Sequence, residues 1–244
     1  METKEHPKES GHWYSKDGTP VYTVKGKTGE RPTTLRDARK EGYVPSVTSI
    51  ISLAARPGLQ NWMNDQLILA CLTMPRIDGE AEVEYVARIK KDSKEQAAKA
   101  AERGTLIHAW VQDGFEGGEP NPFYFSAQKT LAFEQVYADW KCEESFAFDG
   151  YGGKIDLHSW DYLIDIKTTD KDLETVKTWD EHSMQLAAYD WGLSQGLLKR
   201  KCGILYINVN TAESKLIWIS GDDIEKGLKC FKALLDFYYA KTGL

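Results

Sequence analysis

The chain has 244 residues and a formal net charge of −6, with 41% hydrophobic and 28% charged residues. This balance excludes a disordered chain, and the length fits one large domain or one domain with an extension. No apolar run approaches the ~20 residues that a membrane-spanning helix needs, so we expect no membrane association. Because the first residues also lack the apolar centre of a signal peptide, we expect a cytoplasmic protein.

The acidic net charge argues mildly against nucleic-acid binding, because most nucleic-acid-binding domains are basic. The objection is weak, since a local basic groove can exist on an acidic protein and a metal site itself adds carboxylates. The four cysteines are scattered and form no C-x-x-C pair; they are Cys71, Cys142, Cys202 and Cys230. The sequence therefore predicts neither disulfides nor a zinc site.

The first part of the chain differs in composition from the rest. Residues 1–44 are polar and are predicted to form an N-terminal extension, and residues 45–244 are predicted to form the folded domain. Within the extension, residues 12–14 and 21–24 are candidates for a short hairpin around the turn sequence at 16–18. A solvated tail and a basic segment that touches nucleic acid both remain open for this region.

The predicted domain begins with residues that favour the start of a helix. Ser46 or Thr48 can cap a helix that runs toward Leu53, because a hydroxyl there accepts a hydrogen bond from the first turn. The free N–H groups of such a helix start also suit a phosphate, and simple capping explains the two hydroxyls equally well.

Apolar residues recur at three- and four-residue steps in six further stretches, which predict helices. These helices cover residues 58–74, 81–91, the stretch from 93 onward, 126–141, 181–197 and 222–239. The last is expected to be capped by Ser220 or Asp222. In the third, Gly104 and His108 lie one turn apart, so His108 is predicted to point inward. A single inward histidine is usually a core residue, and a metal ligand is the alternative.

Alternating or continuous apolar runs predict five strands. They lie near residues 143–149, 153–160, 162–168, 203–209 and 215–220. Strands interleaved with helices of this length indicate an α/β fold, with a mixed central sheet and helices on both faces.

The charged residues of the second and third strands are the most informative feature. Asp165 and Lys167 share one face of their strand, because side chains alternate along a strand. If the two strands pair around Asp161, Asp156 reaches the same edge as Asp165. Two carboxylates beside a lysine form a compact site for a divalent metal, whereas an ordinary solvated strand face is the alternative. Apolar neighbours on the same strand favour the site, since buried charges need a partner.

Four short motifs follow one another along the chain in a characteristic order. Gly153-x-x-Asp156 precedes Asp165-Ile166-Lys167-Thr168, a G-x-x-x-H motif ends at His108, and a Q-x-x-x-Y motif runs from Gln185 to Tyr189. Together they resemble the active site of the PD-(D/E)XK nuclease superfamily, in particular the RecB-like branch of phage-type and mitochondrial genome maintenance exonucleases. The resemblance covers roughly residues 45–206.

The resemblance implies a restriction-endonuclease-like sheet with a helical N-terminal part, and it assigns roles to individual residues. One or two Mg²⁺ or Mn²⁺ ions would be held by His108, Asp156, Asp165 and the carbonyl of Ile166. Lys167 would orient the attacking water or stabilise the transition state, and Gln185 and Tyr189 would position the strand. Glu144 is expected to support the metal site. Candidate DNA contacts are Ser46, Thr48, Arg103 and Thr168.

The implied function is a divalent-metal-dependent DNA exonuclease of phage-type recombination, repair or degradation, with a single-strand annealing or recombination protein as a candidate partner. Some members of the branch carry an iron–sulfur cluster on closely spaced cysteines, which this chain lacks, so no cluster is expected. Three alternatives stay open from the sequence: a catalytically silent nucleic-acid-binding or assembly protein, an endonuclease of the same superfamily, and a structural protein with an acidic strand surface.

Overall fold

A computed structural model describes residues 13–244, which contain seven helices and nine strands. The helices are α1 (Leu35–Glu41), α2 (Val47–Ile51), α3 (Pro57–Thr73), α4 (Glu82–Phe115), α5 (Pro122–Phe133), α6 (Asp180–Leu193) and α7 (Gly221–Thr242). The strands are β1 (Trp13–Tyr14), β2 (Thr23–Lys25), β3 (Glu30–Pro32), β4 (Val44–Pro45), β5 (Lys141–Phe148), β6 (Tyr151–His158), β7 (Tyr162–Thr169), β8 (Lys201–Asn208) and β9 (Ser214–Trp218). None of the helices described in residues 13–244 is both long and apolar enough to span a membrane.

A five-stranded sheet in the order β5-β6-β7-β8-β9 forms the centre of the molecule. Strands β7 and β8 are parallel, and the other three pairs are antiparallel. The helix α6 lies in the connection between the two parallel strands, as a parallel crossover requires. The prediction of an α/β fold with a mixed central sheet, flanking helices and a helical N-terminal part is confirmed.

Both faces of the sheet are covered, which explains why β8 is buried along almost its whole length. Alternate residues of β8 enter different cores: Ile204 packs with α2, α6 and α7, whereas Leu205 packs with α4 and α5. The sheet is therefore the middle layer of three. Side chains from α4 and α6 can reach the same edge of the sheet from opposite faces.

Three helix boundaries differ from the sequence prediction. The two stretches expected at 81–91 and from 93 onward form the single 34-residue helix α4. The helix expected over 126–141 ends at Phe133, because Gln135 adopts a left-handed φ of 59° and the Val136 N–H returns to the Leu131 carbonyl.

In the same way, the helix expected over 181–197 ends at Leu193. Gln195 and Gly196 follow with φ of 51° and 95°, which no helix can continue. The predicted caps fare better: Ser46 accepts a hydrogen bond from the Ser49 N–H at the start of α2, and Ser220 accepts one from the Asp223 N–H at the start of α7.

The described part of the first 44 residues packs against the sheet. Strand β1 pairs with β4, and Tyr14 lies so close to Gly152 of β6 that a Cβ on that glycine would be 2.6 Å from the ring. A bridge between Tyr14 and Pro20 retains part of the predicted hairpin, whose first residue, His12, lies outside the described residues. This segment therefore forms one wall beside the β5–β6 edge.

Candidate active site

The site begins where β6 and β7 separate. Their backbone pairing covers only Leu157 with Ile164 and His158 with Leu163. Beyond that point, the carboxylate of Asp156 takes the place of a backbone acceptor: its Oδ2 accepts a hydrogen bond of 2.7 Å from the Ile166 N–H. The splayed strands thus hold Asp156 and Asp165 on either side of the opening, as the sequence predicted from their register.

A second group of polar contacts surrounds Asp165, which is 3% exposed. Lys167 Nζ lies 2.7 Å from Asp165 Oδ2, although the direction of approach does not make a hydrogen bond and no other described residue supplies one to that oxygen. Gln185 Nε2 donates to Asp165 Oδ1 over 2.8 Å and to the Tyr189 hydroxyl over 3.0 Å. Gln185 Oε1 accepts from Lys167 Nζ over 3.2 Å. The amide of Gln185 therefore fixes a carboxylate, an ammonium and a phenol together.

The helix α4 supplies His108 from the opposite face of the sheet. His108 Nδ1 lies 3.5 Å from Asp156 Oδ1, and its side chain is 29% exposed. One turn earlier, a Cβ on Gly104 would lie 3.0 Å from Thr168 Oγ1, which is tighter than ordinary contact. Gly104 thus allows α4 to approach β7 closely enough for His108 to reach Asp156.

Burial and mutual charge move the pKa values of these groups in different directions. Burial raises the pKa of Asp156, but His108 and Lys167 together lower it by more, so the net shift is downward. For Asp165, burial and the charge of Asp156 outweigh Lys167, and its pKa is raised. Burial lowers the pKa of Lys167, and the two carboxylates more than restore it. The two carboxylates repel each other, and the single Lys167 ammonium offsets only part of this repulsion. An additional positive charge would offset more of it.

The donor chemistry fits a hard divalent ion. Two carboxylates and an imidazole are ligands that Mg²⁺ and Mn²⁺ accept, and Asp165 Oδ2 is a buried oxygen without a hydrogen bond. Among residues 13–244, however, no three His, Cys, Asp or Glu side chains are gathered closely enough to form a ready metal site. His108 and Asp156 contact each other, and Asp165 contacts Lys167, so an ion would have to replace these contacts.

The same residues line a cleft of about 380 Å³. From the sequence prediction it contains Ser46, Thr48, His108, Asp156, Asp165, Lys167, Thr168, Gln185 and Tyr189. Further side chains that line the cleft were not predicted, among them Tyr14, Tyr22, Glu143 and Lys154. The two tyrosines were missed because their segment has the composition of a tail.

The expectation for Glu144 is wrong in its placement. The Glu144 carboxylate lies 2.9 Å from His158 Nε2 and does not line the cleft, whereas Glu143 lines it and pairs with Lys154. In the β5–β6 register Glu144 lies opposite Ile155 and Cys142 opposite Leu157, so Glu143, with a left-handed φ of 53°, lies level with Asp156. Counting back from the two-residue turn between Phe148 and Tyr151 would have given this phase from the sequence.

Arg103, a candidate DNA contact, lies outside the cleft. Its guanidinium donates to the Val209 carbonyl over 2.5 Å and to Asn210 Oδ1 over 3.2 Å, in the turn between β8 and β9. A contact between Arg103 and DNA therefore stays a prediction.

Comparisons with known proteins give weak similarities only. No family model matches the chain, and no curated protein does. Among solved structures, it is similar to a protein from Eubacterium rectale described as a candidate exonuclease, with 17% identity and a TM-score of 0.40 over 58% of this chain and 68% of that one. It is also similar to an alkaline exonuclease from Laribacter hongkongensis, with 11% identity and a TM-score of 0.38 over 81% and 92% of the two chains. At these values neither similarity carries a conclusion about activity.

Proposed function

We propose that the chain is a divalent-metal-dependent deoxyribonuclease that hydrolyses phosphodiester bonds in the cleft between α4 and α6. The observation that carries the proposal is the contact group of buried Asp165 with half-buried Lys167 and Gln185, which faces Asp156 and His108 across one opening. A half-buried ammonium in contact with a buried carboxylate of raised pKa, beside a second carboxylate, is typical of a functional site rather than of a solvated strand face.

The proposed metal ligands are His108, Asp156, Asp165 and the carbonyl of Ile166, for one or two Mg²⁺ or Mn²⁺ ions. Such an ion, when bound, polarises a phosphate oxygen and lowers the pKa of a water molecule. Glu143, which lines the cleft, takes the supporting position that the sequence prediction gave to Glu144.

The chain's own residues do the rest. Lys167 can only donate hydrogen bonds, so its part is to stabilise negative charge that grows on the phosphate during attack. Gln185 holds Lys167 Nζ and Asp165 Oδ1 at fixed positions before the substrate arrives, which lowers the cost of reorganisation. Asp156 is held by the Ile166 N–H and by His108 in the same manner.

We infer digestion from strand ends, rather than internal cutting, from the resemblance of the sequence motifs to those of the RecB-like exonucleases. On the same basis we propose a cytoplasmic role in phage-type recombination, repair or degradation of DNA, next to a strand-annealing or recombination protein. Ser46, Thr48 and Thr168 line the cleft and are proposed contacts for the DNA backbone, because hydroxyls commonly bind phosphate oxygens.

The test is digestion of end-labelled linear DNA and closed circular DNA of the same sequence with Mg²⁺, Mn²⁺ or excess EDTA. We expect the linear DNA to be degraded from its ends with either ion, the circle to persist, and EDTA to stop the reaction. Rapid nicking of the circle would indicate an endonuclease. Binding of DNA without any turnover in either ion would indicate a silent binding protein, and undiminished cleavage in EDTA would exclude the metal.

A further inference from the structure

Arg56 is a half-buried cation without a counter-ion among the described residues. It directly precedes Pro57, the first residue of α3, and its carbonyl accepts the Gln60 N–H over 2.9 Å. Its Nε is buried and has no hydrogen-bond partner among the described residues, and none of the ion pairs found in residues 13–244 includes it. Buried polar atoms of this kind are nearly always paired in folded proteins, so a missing partner indicates a ligand.

Arg56 does not itself line the cleft, and its neighbours place it next to the start of α6, on the side of Lys167. The start of α3 packs on the start of α6, where a Cβ on Gly58 would lie 3.0 Å from the Trp179 ring. Burial is the main reason that the pKa of His182 falls to about 4, and the charges of Lys167 and Arg56 lower it further. The charge of Arg56 also lowers the pKa of Lys167, on which burial and Asp165 have the largest effects.

The two cations differ in how they are balanced. Lys167 contacts Asp165, whereas Arg56 has no carboxylate partner in the described part of the chain. An anion between or beside them would satisfy the guanidinium without disturbing the Lys167–Asp165 contact. The guanidinium fork matches the paired oxygens of a phosphate, which a lysine ammonium at the same position would not.

We propose that Arg56 is a positioning residue that binds one phosphate of the substrate strand, adjacent to the phosphate under attack. The proposal rests on the nuclease function proposed above and deepens it. The ligand is a phosphodiester group, recognised by charge and by its pair of free oxygens. By binding this group, Arg56 sets which neighbouring phosphate reaches Lys167.

The experiment measures binding of a short labelled single-stranded DNA in EDTA, where no cleavage occurs. A series of oligonucleotides carries one neutral methylphosphonate at each successive phosphate. The proteins are the wild type, Arg56→Gln, Arg56→Lys and the control Arg36→Gln. Arg36 is exposed on α1, does not line the cleft, and gives the same change of net charge.

We expect one methylphosphonate position to weaken wild-type binding by about tenfold. Arg56→Gln should lose its sensitivity at that position alone, and its slope of log affinity against log salt should fall by about 0.7. Arg56→Lys, which keeps the charge but not the fork, should show an intermediate profile. Arg36→Gln should keep the wild-type profile, and melting temperatures should be similar for all variants that fold.

An Arg56→Gln profile identical to that of the wild type, or uniformly weaker at every position, would overturn the inference. Should Arg56→Gln fail to fold, an Arg56→Lys profile identical to that of the wild type would overturn the inference instead. Cleavage of the unmodified oligonucleotide by the wild type with Mn²⁺ separates the two proposals. Turnover with an unchanged Arg56→Gln profile contradicts the role of Arg56 alone, whereas a wild type that neither binds nor cleaves DNA contradicts both.

Discussion

At the scale of single residues, the cleft depends on side chains that share partners. Gln185 is the clearest case, because its one amide contacts Asp165, Lys167 and Tyr189. Removing such a side chain affects three groups at once, and the effect on each can be separated by measuring the rate at several pH values.

Gln185→Leu should lower the cleavage rate by about 10- to 100-fold, since a charged hydrogen bond on each side of the amide is lost. Losing the donor to Asp165 should raise the pKa of that carboxylate further, so the acidic limb of the pH–rate profile moves to higher pH. Tyr189→Phe is the matched control, because it removes only the hydroxyl that receives the second N–H of Gln185. A pH–rate profile of Gln185→Leu with the same maximal rate and the same acidic limb as the wild type would contradict the role of Gln185.

His182 provides a pH-dependent contribution to stability. Burial lowers its pKa to about 4, well below the usual histidine pKa of about 6.5, and Lys167 and Arg56 act in the same direction. Between these two values the unfolded chain binds a proton that the folded chain does not, so stability is lost as pH falls from 6.5 to 4. The full contribution is on the order of 3 kcal/mol.

The free energy of unfolding should therefore fall more steeply in this pH range for the wild type than for His182→Asn. Asparagine does not titrate and can still accept the Trp179 N–H that His182 Nδ1 accepts over 3.2 Å. Urea unfolding at several pH values measures both slopes. Equal slopes for the two proteins would show that His182 titrates normally in the folded state.

At the scale of elements, α6 connects the side chains of the cleft to the core. Gly192, near its end, faces Phe146 of β5: an added Cβ would lie 1.9 Å from the ring edge. The same ring makes an edge contact with Tyr189, with centroids 6.2 Å apart. The close packing of α6 on the sheet therefore sets the position of the residues that line the cleft.

Gly192→Ala should destabilise the protein by roughly 1–3 kcal/mol, because the buried ring has to move. Cleavage activity should fall in the molecules that remain folded, since Tyr189 moves with Phe146. Gly221→Ala is the control: it opens α7 with nothing within 4 Å of the added Cβ, and is expected to be neutral or stabilising by up to about 1 kcal/mol. A melting curve of Gly192→Ala equal to that of the wild type would contradict the packing argument.

The elements that the sequence predicted well are those with strong local signals. The five strands of the sheet follow from short alternating or apolar runs, and Ser46 and Ser220 follow from capping chemistry. Helix ends were missed where a non-glycine residue, Gln135 or Gln195, takes a left-handed φ. Glutamine has no intrinsic preference for that conformation, so the local sequence does not indicate it. Tertiary packing imposes it.

The same distinction holds within the site. Asp156 and Asp165 could be placed together from strand alternation, because the short turn at Asp161 fixes their register. The network around Gln185 could not be predicted, since it depends on how α6 packs across the sheet. Glu143 was missed through a phase error of one residue, which exchanges the two faces of a strand.

At the scale of the whole molecule, the three-layer arrangement brings α4 and α6 from opposite faces to the one place where β6 and β7 separate. His108 arrives from one face and Gln185 from the other, so neither helix alone contains a site. An acidic protein can in this way hold an ammonium and a guanidinium beside its carboxylates, where a phosphate could be accepted despite the net charge of −6.

The most direct test of this account compares Lys167→Ala with Asp165→Ala in single-turnover cleavage of end-labelled DNA and in titration with Mn²⁺. Lys167 is not a metal ligand, so Lys167→Ala should keep Mn²⁺ and DNA binding and cleave about 10²–10³-fold more slowly. Asp165→Ala should lose Mn²⁺ affinity and cleavage together. Cleavage by Lys167→Ala at the wild-type rate would contradict the proposed catalytic role of this cleft.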